Sequence, residues 1–253
     1  MVDAFGWRCK FGVITPSTNT IVQPDYDDRR PHGVTNHLSR MHIPDDPVNS
    51  DEDFNELIRR IDVALEAALD RVLTCKPDHV VLGISAESIW GGGLKPAEDI
   101  VRRIRAKAGQ DMKVTQAAYA FPAALQALGV MPGATIGLVT PYFPVAEKHL
   151  REYIGAIGYK LGKAVHLSCR GPVLIGHVDE PTLRDAVKAV DGPEMQAIIQ
   201  FGANLAMSRV AVEAEAWLGK PVLAVNPTTY WHALRTHGIG DRLAGFGRLF
   251  AEC

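Results

Sequence analysis

Residues 11–20 read FGVITPSTNT, an apolar run that breaks into small hydroxyl and amide side chains. A near-copy of its first half returns at residues 136–142, which read IGLVTPY. In each copy a strand-like run ends where proline removes a backbone donor and favours extended geometry in the residue before it. Polar residues then lie at the carboxyl end of a strand, where open α/β sheets bind ligands. A single Thr-Pro pair can simply mark a turn at the end of a strand. Two copies, however, predict a duplicated fold with a site between the halves.

Composition and charge are those of a globular protein and exclude several classes of partner. The 253 residues are 47% hydrophobic and 22% charged, which suits one large domain or two ordinary ones. A net charge of −2 with scattered basic residues provides no face for nucleic acid. No window reaches the ~18 apolar residues of a membrane span, and residues 1–10 lack the apolar core of a signal peptide. We therefore expect a cytoplasmic homo-oligomer with no nucleic-acid or membrane partner.

Cysteines, histidines and glycines give no pattern for disulfides, metals or nucleotide cofactors. The four cysteines lie far apart without a CxxC pair, so free thiols are expected. The nine histidines never show metal-ligand spacing. The chain has no GxGxxG or Walker A motif, and the Gly91–Gly93 run alone is a weak phosphate signal. The sequence therefore predicts no metal and no cofactor.

Strand and helix patterns alternate along the chain, which predicts an α/β fold of parallel sheets with helical crossovers. Strands are predicted at residues 10–15, 34–43, 79–84, 113–116, 135–140, 160–168, 197–201 and 222–225. Helices are predicted at residues 51–74, 96–108, 121–128, 144–157, 180–190, 208–218 and 230–235. The segment between the first two strands is predicted as a long polar loop. The repeated order predicts two pseudo-symmetric units, residues 1–117 plus 225–253 and residues 118–224, with the active site in the cleft between them.

Three segments, taken in order, resemble one known family. They are GVITPSTNT at residues 12–20, VTPY at residues 139–142 and NPTTYWHALR at residues 226–235. Together they resemble the maleate cis-trans isomerase and arylmalonate decarboxylase branch of the aspartate/glutamate racemase superfamily. The resemblance covers nearly the whole chain and implies two pseudo-symmetric α/β units with the active site between them.

The chain departs from that family at two cysteine positions. In the family's racemases and isomerases a cysteine follows the apolar strand of each half, and arylmalonate decarboxylases retain only the second, which protonates an enediolate. Counting from the end of each strand, the first cysteine position of the family corresponds to Ser85 in this chain and the second to Phe201. Cys75 and Cys169 do not fit either place by register. The chain thus lacks both catalytic cysteines of the resembling family, and we expect non-thiol chemistry on one face of the substrate.

Polar groups at the strand ends are candidates for holding a substrate carboxylate, because donors in a dry pocket stabilise an oxyanion strongly. The resemblance assigns that role to Asn19 and Tyr142. Asn19 can equally cap a helix or form an Asx-turn, and Tyr142 can be a half-buried aromatic. The full set of candidate substrate-binding residues, including an apolar wall, is Thr18, Asn19, Trp90, Tyr142, Phe201, Gly202 and Asn204.

Ser85 and Glu87 are the main catalytic candidates because they follow a buried strand two residues apart. A partly desolvated carboxylate there would have a raised pKa suited to proton transfer. We expect Glu87 to be a general acid or base, and Ser85 to be a nucleophile or a donor that orients water. Glu87 can instead begin the next helix, where a carboxylate complements the helix dipole. His177 is the next candidate base.

Two classes of function fit these residues. The first is a cofactor-independent enzyme that acts on a small carboxylate, cyclic amide or lactone by hydrolysis or one-face proton transfer through Glu87 and Ser85. Cis-trans isomerisation or decarboxylation of a dicarboxylate is the alternative within that class. The second is a catalytically silent carboxylate-binding protein, which would show ligand-induced thermal shifts without turnover.

Overall fold

A computed structural model describes residues 3–253, which form two parallel sheets covered by helices. Met1 and Val2, the start of the predicted first unit, lie outside the described residues. The strands are β1 (Cys9–Pro16), β2 (Val34–Met41), β3 (His79–Leu82), β4 (Lys113–Thr115), β5 (Thr135–Thr140), β6 (Lys160–His166), β7 (Ala197–Gln200) and β8 (Val222–Ala224). The helices are α1 (Val22–Asp28), α2 (Asp51–Leu73), α3 (Lys95–Ala108), α4 (Ala117–Ala127), α5 (Ala146–Ala156), α6 (Glu180–Val190), α7 (Ser208–Leu218), α8 (Val225–Thr236) and α9 (Arg248–Glu252), with a 3-10 helix at Leu174–His177.

The two sheets repeat one strand order. The first sheet runs β2-β1-β3-β4 and the second runs β6-β5-β7-β8, with every neighbouring pair parallel. Each Thr-Pro strand, β1 or β5, therefore lies at an inner position beside a short buried strand, β3 or β7. The predicted α/β class with two matching units is confirmed.

Burial on both faces explains why these strands read as continuous apolar runs. All residues of β3 and β7 are buried, as expected for parallel strands covered by helices on both sides. The amphipathic α2 covers one face of the first sheet and begins where Ser50 accepts a hydrogen bond from the N–H of Asp53. The largest apolar core contains residues of both sheets, such as Val81 and Leu138, whereas a smaller core belongs to each sheet alone.

Several segments differ from the sequence-based prediction, among them α4, which begins at Ala117 rather than at residue 121, and the 3-10 helix, which was not predicted. The predicted polar loop after β1 contains helix α1, which was missed because only Val22 and Tyr26 form its buried face. Helix α8 begins at Val225 rather than at residue 230, since residues 226–229 are helical and Thr228 Oγ1 donates to the carbonyl of Ala224. The short C-terminal helix α9 was not predicted at all.

Helix α8 packs on α4 and also contacts β3 and β4 of the first sheet. This contact suits the predicted return of the chain to the first unit near residue 225, although the boundary at residue 117 stays a prediction. Among the helices of residues 3–253, none combines the length and the apolar character needed to cross a bilayer.

Candidate active site

A small pocket of about 70 Å³ lies where the segments that follow β1, β3, β5 and β7 meet. One side carries polar groups, contributed by Thr18, Asn19, Ser85, Tyr142, Gly202 and Asn204. The apolar side is formed by α2, which contributes Phe54, Leu57, Ile58 and Ile61, and further apolar lining residues are Ile43, Ile84, Pro172 and Ile175. Sites for drug-sized ligands measure ~300–1,000 Å³, so a pocket of this volume suits a compact substrate.

Ser85 joins the two sheets at this pocket. Its Oγ lies 3.0 Å from the hydroxyl of Tyr142 and accepts a hydrogen bond from the N–H of Gly202 at 3.1 Å. Burial, with a smaller contribution from the Glu87 charge, raises the pKa of Tyr142 well above its usual value, so this hydroxyl stays protonated. Among the described residues, no His, Asp or Glu hydrogen-bonds to the Ser85 hydroxyl, so no base is placed to remove its proton.

Asn19 uses the two ends of its side-chain amide differently. Its Oδ1 accepts hydrogen bonds from the N–H groups of Ile21 at 3.0 Å and Val22 at 2.9 Å, an Asx-turn that leads into α1, whose N-cap residue is Ile21. Its Nδ2 donates to no acceptor in the described part of the chain, and Asn19 lines the pocket. Asn19 thus forms the Asx-turn that was the alternative to substrate binding, and its predicted role as a carboxylate donor stays a prediction, for which the Nδ2 group is available.

The side chain of Asn204 hydrogen-bonds to the segment after β1 and to the segment that contains Pro172. Its Oδ1 accepts from the N–H of Thr20 at 2.9 Å, and its Nδ2 donates to the carbonyl of Pro172 at 2.8 Å and, more weakly, to that of Thr18 at 3.4 Å. Because the amide is fully engaged, the group that Asn204 can offer to a ligand is its backbone N–H.

Glu87 and Trp90 line a second, larger cleft of about 600 Å³, which α2 and α3 flank. The Glu87 carboxyl is buried, and neither oxygen has a hydrogen-bond partner within residues 3–253. Burial raises the pKa of Glu87 to about 8, so the group is mostly protonated at neutral pH and suits an acid better than a base. Trp90 Nε1 donates to Asn55 Oδ1 at 3.2 Å, and its ring centroid lies 4.5 Å from that of His149.

Other candidate positions lie outside the small pocket. Phe201 is fully buried and packs on Phe121 and Tyr153, with ring centroids 4.8 and 5.5 Å away. His177 is exposed at the end of the 3-10 helix whose Ile175 lines the pocket. None of the four cysteines lines the pocket. The described residues contain no group of three His, Cys, Asp or Glu side chains arranged to hold a metal.

Sequence reasoning missed the apolar wall of the pocket. Helical spacing identified the buried face of α2, but four of its residues, Phe54, Leu57, Ile58 and Ile61, face the site as well as the core. The signal was present as two adjacent apolar residues, Leu57 and Ile58, which widen the apolar stripe beyond what one sheet face requires.

Comparison with known proteins places this geometry in one family. The sequence pattern of the arylmalonate decarboxylase family matches residues 63–250. A maleate isomerase from Alcaligenes faecalis is 22% identical over 255 residues, covering 96% of each chain. An arylmalonate decarboxylase from Bordetella bronchiseptica is 30% identical over 131 residues, covering 51% of this chain and 53% of that one.

The solved structures agree on the fold. A maleate cis-trans isomerase from Nocardia farcinica superposes with a TM-score of 0.84 at 20% identity, covering 96% of this chain and 98% of that one. A mutant of the same enzyme was solved with a covalently bound succinylcysteine intermediate. Since the family pattern spans well over half of the sequence, the chain belongs to the arylmalonate decarboxylase family.

Proposed function

We propose that this protein is a cofactor-independent decarboxylase of a small dicarboxylate whose two carboxylates share one carbon, and that it protonates the product on one face. The observation that carries the proposal is the division of the pocket into an apolar side and a donor side. No Lys, Arg or His is among the described residues that line it. A carboxylate on the apolar side would therefore have no cation to stabilise its charge.

This division suits the loss of carbon dioxide. As the bond between the carbon and the departing carboxylate breaks, its electron pair passes into the remaining carboxylate and forms an enediolate. The apolar side disfavours the charged group that leaves, while the donor side stabilises the charge that develops. The donors are Asn19 Nδ2, one of the two mutually hydrogen-bonded hydroxyls of Ser85 and Tyr142, and the backbone N–H groups of Ala203 and Asn204.

The enediolate then needs one proton on carbon. Glu87 is the candidate source, because its raised pKa keeps it protonated at neutral pH. Since its carboxyl has no hydrogen-bond partner among the described residues, a bridging water would carry the proton from it to the hydrogen-bonded Tyr142 and Ser85 hydroxyls at the pocket. Glu87 would give up its proton along this path and regain one from water in the outer cleft.

The other reactions expected from the sequence have less support. Isomerisation through a covalent adduct needs a strong nucleophile, and the pocket offers only Ser85, which has no adjacent base. Hydrolysis by a Ser85 nucleophile meets the same difficulty, and hydrolysis by activated water needs Glu87 ionised. Isomerisation remains the second candidate because the maleate isomerase relative matches over nearly the full length.

The test is turnover of a substrate panel that contains an α-methyl arylmalonate, maleate, maleamate, hydantoin and a lactone. We expect carbon dioxide release from the malonate and a single enantiomer of the monoacid. Conversion of maleate to fumarate without carbon dioxide release would favour the isomerase. Ligand-induced thermal shifts without turnover of any compound would identify a binding protein instead.

A further inference from the structure

A buried glutamine lies directly behind the donor side of the pocket. Gln200, the last residue of β7, is 1% exposed although the strand around it is apolar. Its Nε2 donates to the carbonyls of Phe201 at 2.6 Å and Gly202 at 2.9 Å, while its Oε1 accepts from the N–H of Val225 at 3.2 Å. Donors on one end and an acceptor on the other fix the orientation of this amide.

These bonds determine where the next backbone N–H groups point. In a planar trans peptide the C=O and N–H bonds point in opposite directions. Because the Phe201 carbonyl is bound to Gln200, the N–H of Gly202 points away from it and reaches Ser85 Oγ at 3.1 Å. The Gly202 carbonyl accepts from Gln200 Nε2 and also from the N–H of Leu205 at 3.0 Å, so the N–H of Ala203 turns to the side opposite these two donors. Gly202 has φ +105°, and a Cβ there would lie 2.3 Å from Pro141 Cγ, so this path of the chain requires glycine.

The side chain of Asn226 binds the next backbone carbonyl, that of Ala203, in the same way. Asn226 Nδ2 donates to the carbonyl of Ala203 at 2.9 Å and to Asp25 Oδ2 at 2.9 Å. The N–H of Asn204 therefore also turns away from the bound carbonyl. Within residues 3–253, neither the Ala203 nor the Asn204 N–H meets an acceptor. Asp25 lies on α1 and forms an ion pair with Arg29, with an N–O distance of 3.3 Å.

We propose that Gln200 and Asn226 are positioning residues that hold the N–H groups of Ala203 and Asn204 toward the carboxylate of the substrate. The proposal rests on the proposed function, because it assigns these two amides to the developing enediolate. Asp25 anchors Asn226 and so connects this part of the second sheet to α1, which follows the Thr-Pro strand of the first. The two side chains act through the backbone and do not touch the substrate.

The test compares Gln200→Met with Gln116→Met. Gln116 is a matched control, since it is equally buried and its Nε2 donates to a backbone carbonyl, that of Ala97, at 2.8 Å outside the pocket. We expect Gln200→Met to lower kcat about 10²-fold, the low end of the effect of losing an oxyanion donor, with a smaller change in KM. We expect its crystal structure to show a rotated 202–203 peptide. Gln116→Met should keep kcat and lower the thermal midpoint less, because it loses one hydrogen bond where Gln200→Met loses three.

Two results would overturn the proposal. One is a Gln200→Met enzyme with kcat within twofold of wild type, and the other is a lowered kcat with an unrotated 202–203 peptide. If Gln200→Met does not fold, Asn226→Leu carries the same test on the 203–204 peptide. If the wild-type protein turns over no compound of the panel, the proposed function fails by itself, and rotation of the peptide in the variant still decides the role of Gln200.

Discussion

The segments that follow β3 and β7 occupy matching places in the two sheets but present different chemistry. After β3 the chain offers side chains, the Ser85 hydroxyl and the Glu87 carboxyl. After β7 the side chain of Phe201 turns into the core, and the backbone of residues 202–204 faces the pocket. A duplicated backbone therefore does not imply duplicated acid/base chemistry. One segment is suited to deliver a proton and the other to hold an anion.

The largest expected effect comes from the carboxyl in the segment after β3. If Glu87 donates the proton, Glu87→Gln should lower kcat by about 10²–10⁴-fold. With a pKa of about 8, the wild-type rate should fall as pH rises through 8, because the protonated acid is lost. The rate of the Glu87→Gln variant should not show this fall at alkaline pH. The measurement is kcat against pH, with Asp99→Asn in the same outer cleft as the control.

The same substitution has a consequence for stability. The folded pKa of Glu87 lies above the usual value of 4.5, so protonation favours the folded state. That contribution is complete below about pH 4.5 and is lost as pH rises through 8. The thermal midpoint of Glu87→Gln should decline less than that of wild type between pH 6 and 9. If the Glu87→Gln enzyme keeps the wild-type rate and pH profile, Tyr142 rather than Glu87 supplies the proton to the enediolate.

The next effect separates the two roles of Asn19. Asn19→Asp keeps an oxygen to accept from the N–H groups of Ile21 and Val22 but replaces the free Nδ2 donor with an acceptor, whereas Asn19→Ala loses both. Asn19→Asp should lower kcat/KM by about 10²–10³-fold with an unchanged thermal midpoint. Asn19→Ala should lower both the activity and, by about 1 kcal/mol, the stability. A fully active Asn19→Asp enzyme would show that this residue is only a cap.

A smaller effect is expected for Ser85. If its hydroxyl orients a bound group and passes on a proton, Ser85→Ala should lose the hydrogen bonds with Tyr142 and Gly202, each worth ~1 kcal/mol, and lower kcat by no more than about thirtyfold. A nucleophilic Ser85 would make this variant nearly inactive. Single-turnover kinetics with mass spectrometry of the quenched wild-type enzyme would then reveal a covalent adduct on Ser85.

The smallest effect is expected for the thiols. None of the cysteines lines the small pocket, and burial raises the pKa of Cys9 to about 12 and that of Cys169 to about 11. Treatment with iodoacetamide should change kcat by less than twofold. Inactivation that tracks alkylation of one cysteine, mapped by mass spectrometry, would contradict the non-thiol mechanism.

The fold was largely predictable because strand burial and helical spacing are local patterns. The Thr-Pro strands and the buried runs of β3 and β7 were sufficient to predict the two matching sheets. The division of the site was not predictable, because it depends on how the chain turns after each strand. Ser85 and Glu87 would share one face of a continued strand, but backbone bonds from Ile89 and Trp90 to the Ala86 carbonyl make a helical turn there. Residues two apart then point to different sides, so Ser85 lines the pocket and Glu87 the outer cleft.

The apolar core shared by the two sheets limits how a substrate can enter. Swinging one sheet away from the other would expose residues such as Val81 and Leu138 to water, at a cost of ~25 cal/mol for each Å² of apolar surface. The 3-10 helix has no buried residue, so less apolar surface holds the segment from Pro172 to this helix, and specific hydrogen bonds contribute to its position. They include the bond from Asn204 Nδ2 to the Pro172 carbonyl and the bond from the Val173 N–H to Asp45 Oδ1 at 3.0 Å. We therefore expect exchange of substrate and product with solvent to depend on local opening of this segment, at a rate independent of the global unfolding equilibrium.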